Sequence, residues 1–171
     1  LGVKRPIEVI HNFFEPHPPR RSRAAVRREL GLAGGEAMIL HLSNLRALKR
    51  IDLLLATVAG IRPRTSFKLV ILAGASFAPF QAEVRRLGLG RRVVVRERVT
   101  ASDDYLQAAD LGLFTSETES FCLSILEAMS FGCPSCAFAV GGIPEVVTSA
   151  RTGLLVPFGD TAALTRDVET L

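Results

Sequence analysis

Short apolar blocks recur along the 171-residue chain, each followed by a polar turn and a stretch of helical periodicity. Residues 37–43, 67–73, 92–97, 110–114, 135–140 and 152–157 carry these blocks, built from Val, Ile, Leu, Phe and Ala. Blocks of that length suit strands covered on both faces, as in a parallel sheet. Between them, residues 20–30 set Ala25, Val26 and Leu30 on one helical face and end at Gly31, as a C-terminal cap requires. Helices are expected over 51–61, over 79–87 before Gly88, over 103–109 with Ser102 as N-cap, and up to Met129 before Gly132-Cys133-Pro134. Residues 143–147 place Pro144 in a first helical turn, and Asp160 caps a final helix running to Leu171. Near the start, residues 7–11 read as a short strand, and Pro16, Pro18 and Pro19 make residues 13–19 a loop.

Strands alternating with helices at this spacing predict an α/β fold, a doubly wound, Rossmann-like parallel sheet in which 92–97 is one of the central strands. Ligands of such sheets bind beyond the carboxyl ends of the strands. The polar turns at 44–50, 74–76, 99–102, 116–120 and 141–142 should therefore share one rim. The stretch from Phe114 to Met129 stands out among them, because Glu119 and Glu127 lie eight positions apart, close to one helical face if both were helical. Such a pair could clamp two ends of a polar ligand. Two glutamates near a helix start more often complement the dipole or face solvent, so the pair needs the rest of the rim.

Composition narrows the classes. The 48% hydrophobic content supports a full core, and disorder is excluded as the main state. A net charge of +4 comes mainly from arginines, clustered at Arg20–Arg28 and Arg91–Arg98. With 6% aromatics and no Trp, stacking platforms for nucleic acid are scarce, so the arginines are expected to be solvated surface and no nucleic-acid partner is expected. No apolar run is long enough to cross a bilayer and no signal peptide is evident, which predicts a cytoplasmic chain. Three cysteines, an odd number, agree with a reducing compartment.

Neither G-x-G-x-x-G after the first strand nor G-x-x-x-x-G-K-[ST] occurs, which weakens a nicotinamide oxidoreductase and a phosphate-loop enzyme. The rim instead offers Lys49 and Arg46 for a phosphate, and the N–H groups of Phe121, Cys122 and Leu123 at a helix start, where anions are favoured. Cys133 and Cys136 form one C-x-x-C, but the first Cys follows a helix instead of opening one, and His11, His17 and His41 lack ligand spacing. Core packing is expected for both cysteines, a hydrogen-bonded interior role for His41, and no metal.

These residues resemble the C-terminal domain of family 4 retaining glycosyltransferases of the GT-B fold. The E-x(7)-E signature, Glu119 to Glu127, carries the likeness. Val9-Ile10-His11-Asn12 resembles the linker before that domain, Gly141-Gly142-Ile143-Pro144-Glu145-Val146 its glycine turn, and Gly153-Leu154-Leu155-Val156-Pro157 its last strand. Within the family, His41 to Arg50 is most similar to enzymes that transfer N-acetylglucosamine to malate in bacillithiol synthesis. The resemblance implies residues 1–19 as interdomain linker and first strand, and 20–171 as a nucleotide-sugar-binding domain truncated at its C-terminus, with the N-terminal acceptor domain absent and the piece alone inactive. It implies no cofactor, a UDP-sugar donor such as UDP-N-acetylglucosamine, the N-terminal domain as partner, and compatibility with a homodimer of the full-length enzyme.

Carried over by position, Glu127 would bind ribose hydroxyls and Glu119 the donor sugar. The amides of Phe121, Cys122 and Leu123 would hold sugar and diphosphate, Lys49 would neutralise the diphosphate with Arg46 assisting, and the backbone at Val99 and Thr100 would read the base. The chain departs from the family pattern at Asn44, where Arg is usual, at Cys122, where Gly is usual, and at Ala75 and Ser76. A non-catalytic nucleotide-binding or interaction domain on the same scaffold is the alternative that these departures favour.

Overall fold

The two longest strands become inner strands of the sheet, because their side chains are largely apolar on both faces and need helices above and below. A computed structural model describes residues 5–62 and 64–171. Its strands are β1 (Ala37–Ser43), β2 (Phe67–Ala73), β3 (Val93–Glu97), β4 (Leu111–Phe114), β5 (Ser135–Phe138) and β6 (Gly153–Val156). All pair in parallel, in the order β3-β2-β1-β4-β5-β6. From β1 the chain winds outward through β2 and β3, then returns to the other side of β1 with β4. The loops after β1 and β4 therefore diverge from neighbouring strands, which opens the crevice where such sheets take ligands.

Among the described residues, seven α-helices cover the two faces: α1 (Arg23–Glu29), α2 (Ile51–Gly60), α3 (Gln81–Arg86), α4 (Ser102–Leu106), α5 (Leu123–Ser130), α6 (Ile143–Val146) and α7 (Thr161–Thr170). Strand alternation sorts the core. Ile39, Leu69, Ile71, Leu113 and Phe138 pack on one side against Leu54, Leu55 and Val58 of α2, Val84 of α3 and Leu164 of α7. Met38, Leu40, Val70 and Leu72 face the other side, against Val26 of α1 and Leu106 of α4. Phe114 and Ala137 continue that second layer against Ile125 of α5 and Ile143 of α6. The doubly wound expectation is met, and no described helix is long and apolar enough to cross a membrane.

Four local expectations need correction. Residues 6–19 hold no strand: Ile7, Val9 and Ile10 are exposed, and no sheet edge runs beside them to take their backbone hydrogen bonds. Within residues 92–97, β3 (Val93–Glu97) is an edge strand, not a central one, half-buried along most of its length because only β2 flanks it. Ser102 is the first residue of α4 and Ala101 its N-cap, without a side-chain cap bond. Within the Arg20–Arg28 cluster, the side chains of Arg21, Arg23 and Arg27 are structural rather than solvated, whereas Arg20 and Arg28 are exposed. Buried Asp104 accepts from the N–H groups of Arg20 (2.6 Å) and Arg21 (3.0 Å) and from Arg21 Nε (2.8 Å). Asp110 accepts from Arg23, from Arg27 (2.8 Å) and from the Met38 N–H (2.7 Å), which ties α1 to the sheet.

His41 is the interior histidine expected. Its Nδ1 lies 2.8 Å from the Leu113 carbonyl, which can only accept, so Nδ1 carries the proton and Nε2 faces Ser43 Oγ at 2.9 Å. Burial, only partly offset by that carbonyl, pushes its pKa down to about 4.

Two measurements follow from these buried groups. Burial pushes the Asp104 carboxyl up, but its bonds to Arg21 and the two N–H groups overcome this and hold it below its ordinary value. Asp104→Ala should cost about 3–5 kcal/mol of stability at pH 7 in urea unfolding, the range for stripping a partner from a buried pair. For His41 the folded pKa is lowered, so between about pH 6.5 and about pH 4 the unfolded chain takes up a proton that the folded chain refuses. Stability should fall as pH drops through that window, and His41→Gln should show a smaller loss over the same range.

Candidate functional site

The crevice between β1 and β4 is closed at its floor by hydrogen bonds between the two loops that diverge there. After β1, residues 44–46 lead into a single 3-10 turn at Ala47–Lys49, and Arg50 starts α2 in a left-handed conformation (φ 48°). After β4, the N–H of Glu117 donates to the Leu48 carbonyl at 2.7 Å. Buried Thr115 Oγ1 stands 3.1 Å from the carbonyls of both Lys49 and Arg50, a bifurcated donor. Arg50 also pairs with Glu117 (3.6 Å) and Asp52 (2.7 Å).

On this floor the ammonium of Lys49 donates to Glu119 Oε1, and Ser116 Oγ donates to the same oxygen at 2.7 Å. Both charged side chains are largely withdrawn from water, with 19% and 11% of their surface exposed. Glu119 is not on a helix. Residues 115–122 are irregular and α5 starts only at Leu123, so the two glutamates do not share a helical face. What positions Glu119 is its backbone: its carbonyl accepts from the Gly142 N–H at 2.9 Å. A Cβ on Gly141 would sit 1.8 Å from that carbonyl oxygen, and one on Gly142 would sit 2.1 Å from the Ser120 carbonyl. The glycine turn therefore exists to let the two loops touch.

Glu127 lies on α5, half-buried, and among the described residues no side chain or amide bonds its carboxylate. Burial, reinforced by the charge of Asp103, raises its pKa. A desolvated carboxylate without a cation is suited to accepting hydrogen bonds from neutral hydroxyls. Cys122 occupies the N-cap of α5 in the left-handed region (φ 70°), a conformation that explains why glycine would be the easier residue there. Its side chain makes no cap hydrogen bond. Burial and the Glu119 charge push its thiol up to about 12, so it is a neutral side chain, not a nucleophile. Cys133 and Cys136 are buried, unpaired, and likewise pushed up to about 12 by burial, in agreement with core packing.

The remaining candidates are spread around this centre. Val99 lines a recess of about 130 Å³ with Leu42, Leu72, Gly74 and Arg98, beyond the ends of β1 to β3. Thr100 faces a separate recess of about 240 Å³ with His17, Arg20 and Asp103. Arg46 and Asn44 are exposed; Arg46 lines a groove of about 550 Å³ with Phe80, Asp52 and Glu117, whereas Lys49 turns to Glu119. Phe121 meets the ring of His11 at 6.1 Å, and His11 Nδ1 lies 3.5 Å from Glu145, so the segment before α1 runs along this rim. A further cavity of about 440 Å³, lined by Pro134, Gly153 and Leu171, sits at the amino ends of β5 and β6, away from these residues. No cluster of three or more metal-ligating side chains occurs among the described residues. Sequence reasoning missed Thr115, Ser116 and the Arg50–Glu117 pair. Two hydroxyl residues directly after an apolar strand were the available signal.

Because Gly141 abuts Glu119 backbone rather than a movable side chain, Gly141→Ala should destabilise the fold by about 3 kcal/mol or more in urea unfolding. Gly34→Ala, with nothing within 4 Å of the new Cβ, is the control and should be near neutral.

Residues 22–171 match the family described as Glycosyl transferases group 1. The chain is 32% identical over 160 residues to N-acetyl-alpha-D-glucosaminyl L-malate synthase of Bacillus anthracis, covering 92% of this chain and 42% of that protein. It is 34% identical over 151 residues to D-inositol 3-phosphate glycosyltransferase of Nocardia farcinica, covering 82% and 34%. Among solved structures, Anabaena Alr3699/HepE in complex with UDP-glucose superposes with a TM-score of 0.80 at 26% identity, covering 86% of this chain and 42% of that one. Sucrose-phosphate synthase from Thermosynechococcus elongatus gives 0.78 at 30% identity, covering 86% and 39%. The chain thus spans less than half the length of these relatives. With its family matched over nearly its whole length and its sheet shared with GT-B neighbours, the chain belongs to the group 1 glycosyl transferases.

Proposed function

We propose that this chain is the donor-binding half of a retaining glycosyltransferase that takes its sugar from a UDP-sugar. The observation that carries the reading is the pairing of two unlike carboxylates along one rim. Glu119 is ionically held beside Lys49, whereas Glu127 is desolvated and has no partner among the described residues. Glu127 would accept from the ribose hydroxyls, a neutral ligand that suits a carboxylate with a raised pKa. Lys49 would meet the diphosphate, Glu119 the sugar hydroxyls, and the amides of Phe121, Cys122 and Leu123 the charged middle. Val99 and Thr100 would read the base from the recesses they line.

In transfer, the bond from the anomeric carbon to the diphosphate breaks with its electron pair staying on the phosphate oxygen, while an acceptor hydroxyl oxygen bonds to that carbon and gives up its proton to the departing phosphate. Lys49 would stabilise the charge growing there, where a fixed cation contributes most. Kinship with the malate synthase favours UDP-N-acetylglucosamine as donor and a small hydroxy acid such as L-malate as acceptor. The inositol phosphate transferases, at comparable identity, keep that acceptor open. Acceptor contacts are proposed to come from the part of the relatives that this chain does not match. Cys122 is the observation that favours a non-catalytic nucleotide-binding module instead, since its side chain occupies the turn where the backbone should approach the sugar.

Calorimetric titration of UDP separates these readings from an unrelated ligand. The wild-type chain should bind UDP, and both Glu127→Ala and Lys49→Ala should weaken it about tenfold or more, roughly 1.4 kcal/mol each. Indifference of UDP affinity to Glu127→Ala would sink the proposal.

A further inference from the structure

We propose that Glu119, by neutralising Lys49, makes the site prefer a diphosphate that carries a sugar over the free nucleoside diphosphate, and so drives the spent nucleotide out. This inference rests on the proposed reading of the rim as a UDP-sugar site. A site that captured diphosphate by raw positive charge would leave its cations uncommitted. Here Lys49 is committed to Glu119, and Arg50 to Asp52 and Glu117. On the crevice floor, two cations (Lys49, Arg50) are matched by three carboxylates (Asp52, Glu117, Glu119), so the paired floor carries no excess positive charge.

Glu119 is the fixed member of its pair. Its carbonyl is bonded to the Gly142 N–H, its backbone is packed against Gly141 at a spacing that admits no side chain, and its carboxylate is held by Ser116 Oγ. Lys49 reaches it through a flexible stem. A diphosphate arriving at Lys49 must therefore share the ammonium with a carboxylate that cannot retreat. With a sugar attached, that carboxylate gains hydroxyl donors in return, and the phosphate next to it carries one negative charge. Once the anomeric bond has broken, the terminal phosphate holds the released electron pair as a further ionisable oxygen with a pKa of about 6. The hydroxyl donors have left with the sugar. The same carboxylate that rewarded the substrate then repels the product.

The test is the ratio of UDP to UDP-N-acetylglucosamine affinity, measured by calorimetry on wild type, Glu119→Gln, Lys49→Met and the double variant, with folding checked by circular dichroism. Glu119→Gln should bind UDP about three- to tenfold tighter and UDP-N-acetylglucosamine weaker, moving the ratio by about tenfold or more. In the Lys49→Met background the gain for UDP should fall to less than half, because no ammonium remains to be released. Glu119→Asp, which keeps the charge but cannot reach Lys49 as well, should also tighten UDP and stands in if the Gln variant does not fold. If the ratio stays within about twofold of wild type in these variants, or UDP weakens along with the UDP-sugar, the inference is overturned while Glu127-dependent UDP binding keeps the donor-site reading. If wild type binds neither nucleotide, both fall together.

Discussion

Two loops that leave adjacent strands in diverging directions are held together at their roots, and that contact is the constraint on which the rest of the rim depends. The crevice between β1 and β4 exists because the chain reverses its winding there. Left alone, loops on the two sides of such a crevice would move independently. Thr115 bonding to the carbonyls of Lys49 and Arg50, Glu117 bonding to Leu48, and the Lys49–Glu119 pair convert them into one surface. Opposite charges withdrawn from water are costly to separate, because either member of the Lys49–Glu119 pair would be left largely buried and uncompensated.

The glycine turn at 141–142 extends the same logic to the next strand. Its contribution is clearance, not ligand chemistry: backbone meets backbone where any Cβ would collide. Glu119 is thereby fixed from two sides, by β5's loop behind it and by Ser116 and Lys49 in front. A residue fixed this way can discriminate between ligands that differ by one charge, because it does not relax to accommodate the worse one. Cys122 fits into this arrangement as a buried neutral side chain, and its left-handed backbone keeps the turn that a glycine would adopt more easily.

Away from the rim, the arginines of α1 show how a charge cluster can be read wrongly from composition. Arg21, Arg23 and Arg27 are spaced to reach Asp104, Asp110 and the carbonyls of residues 107–109 on a helix and turn far along the chain. Their partners are about eighty positions away, so nothing local in the sequence marks them as structural.

The sequence by itself determined the strands and helices of the doubly wound sheet, because burial on two faces demands continuous apolar blocks and their ends demand polar turns. β1 and β2 emerged over the residues expected, and Asp160 caps α7 as its position suggested. It also singled out Lys49 after β1, Glu119 after β4 and Glu127 on the following helix as candidates for one polar ligand. What it could not determine was which of these meet. Residues 7–11 have strand-like composition but no neighbour to pair with, and 92–97 has the composition of a central strand yet lies at the edge. Arg46 and Lys49 are three positions apart and face different recesses. Pairing across a sheet, counter-ion choice and backbone clearance are set by residues distant in sequence, and only the tertiary structure brings Lys49, Ser116, Glu119 and Gly142 into contact.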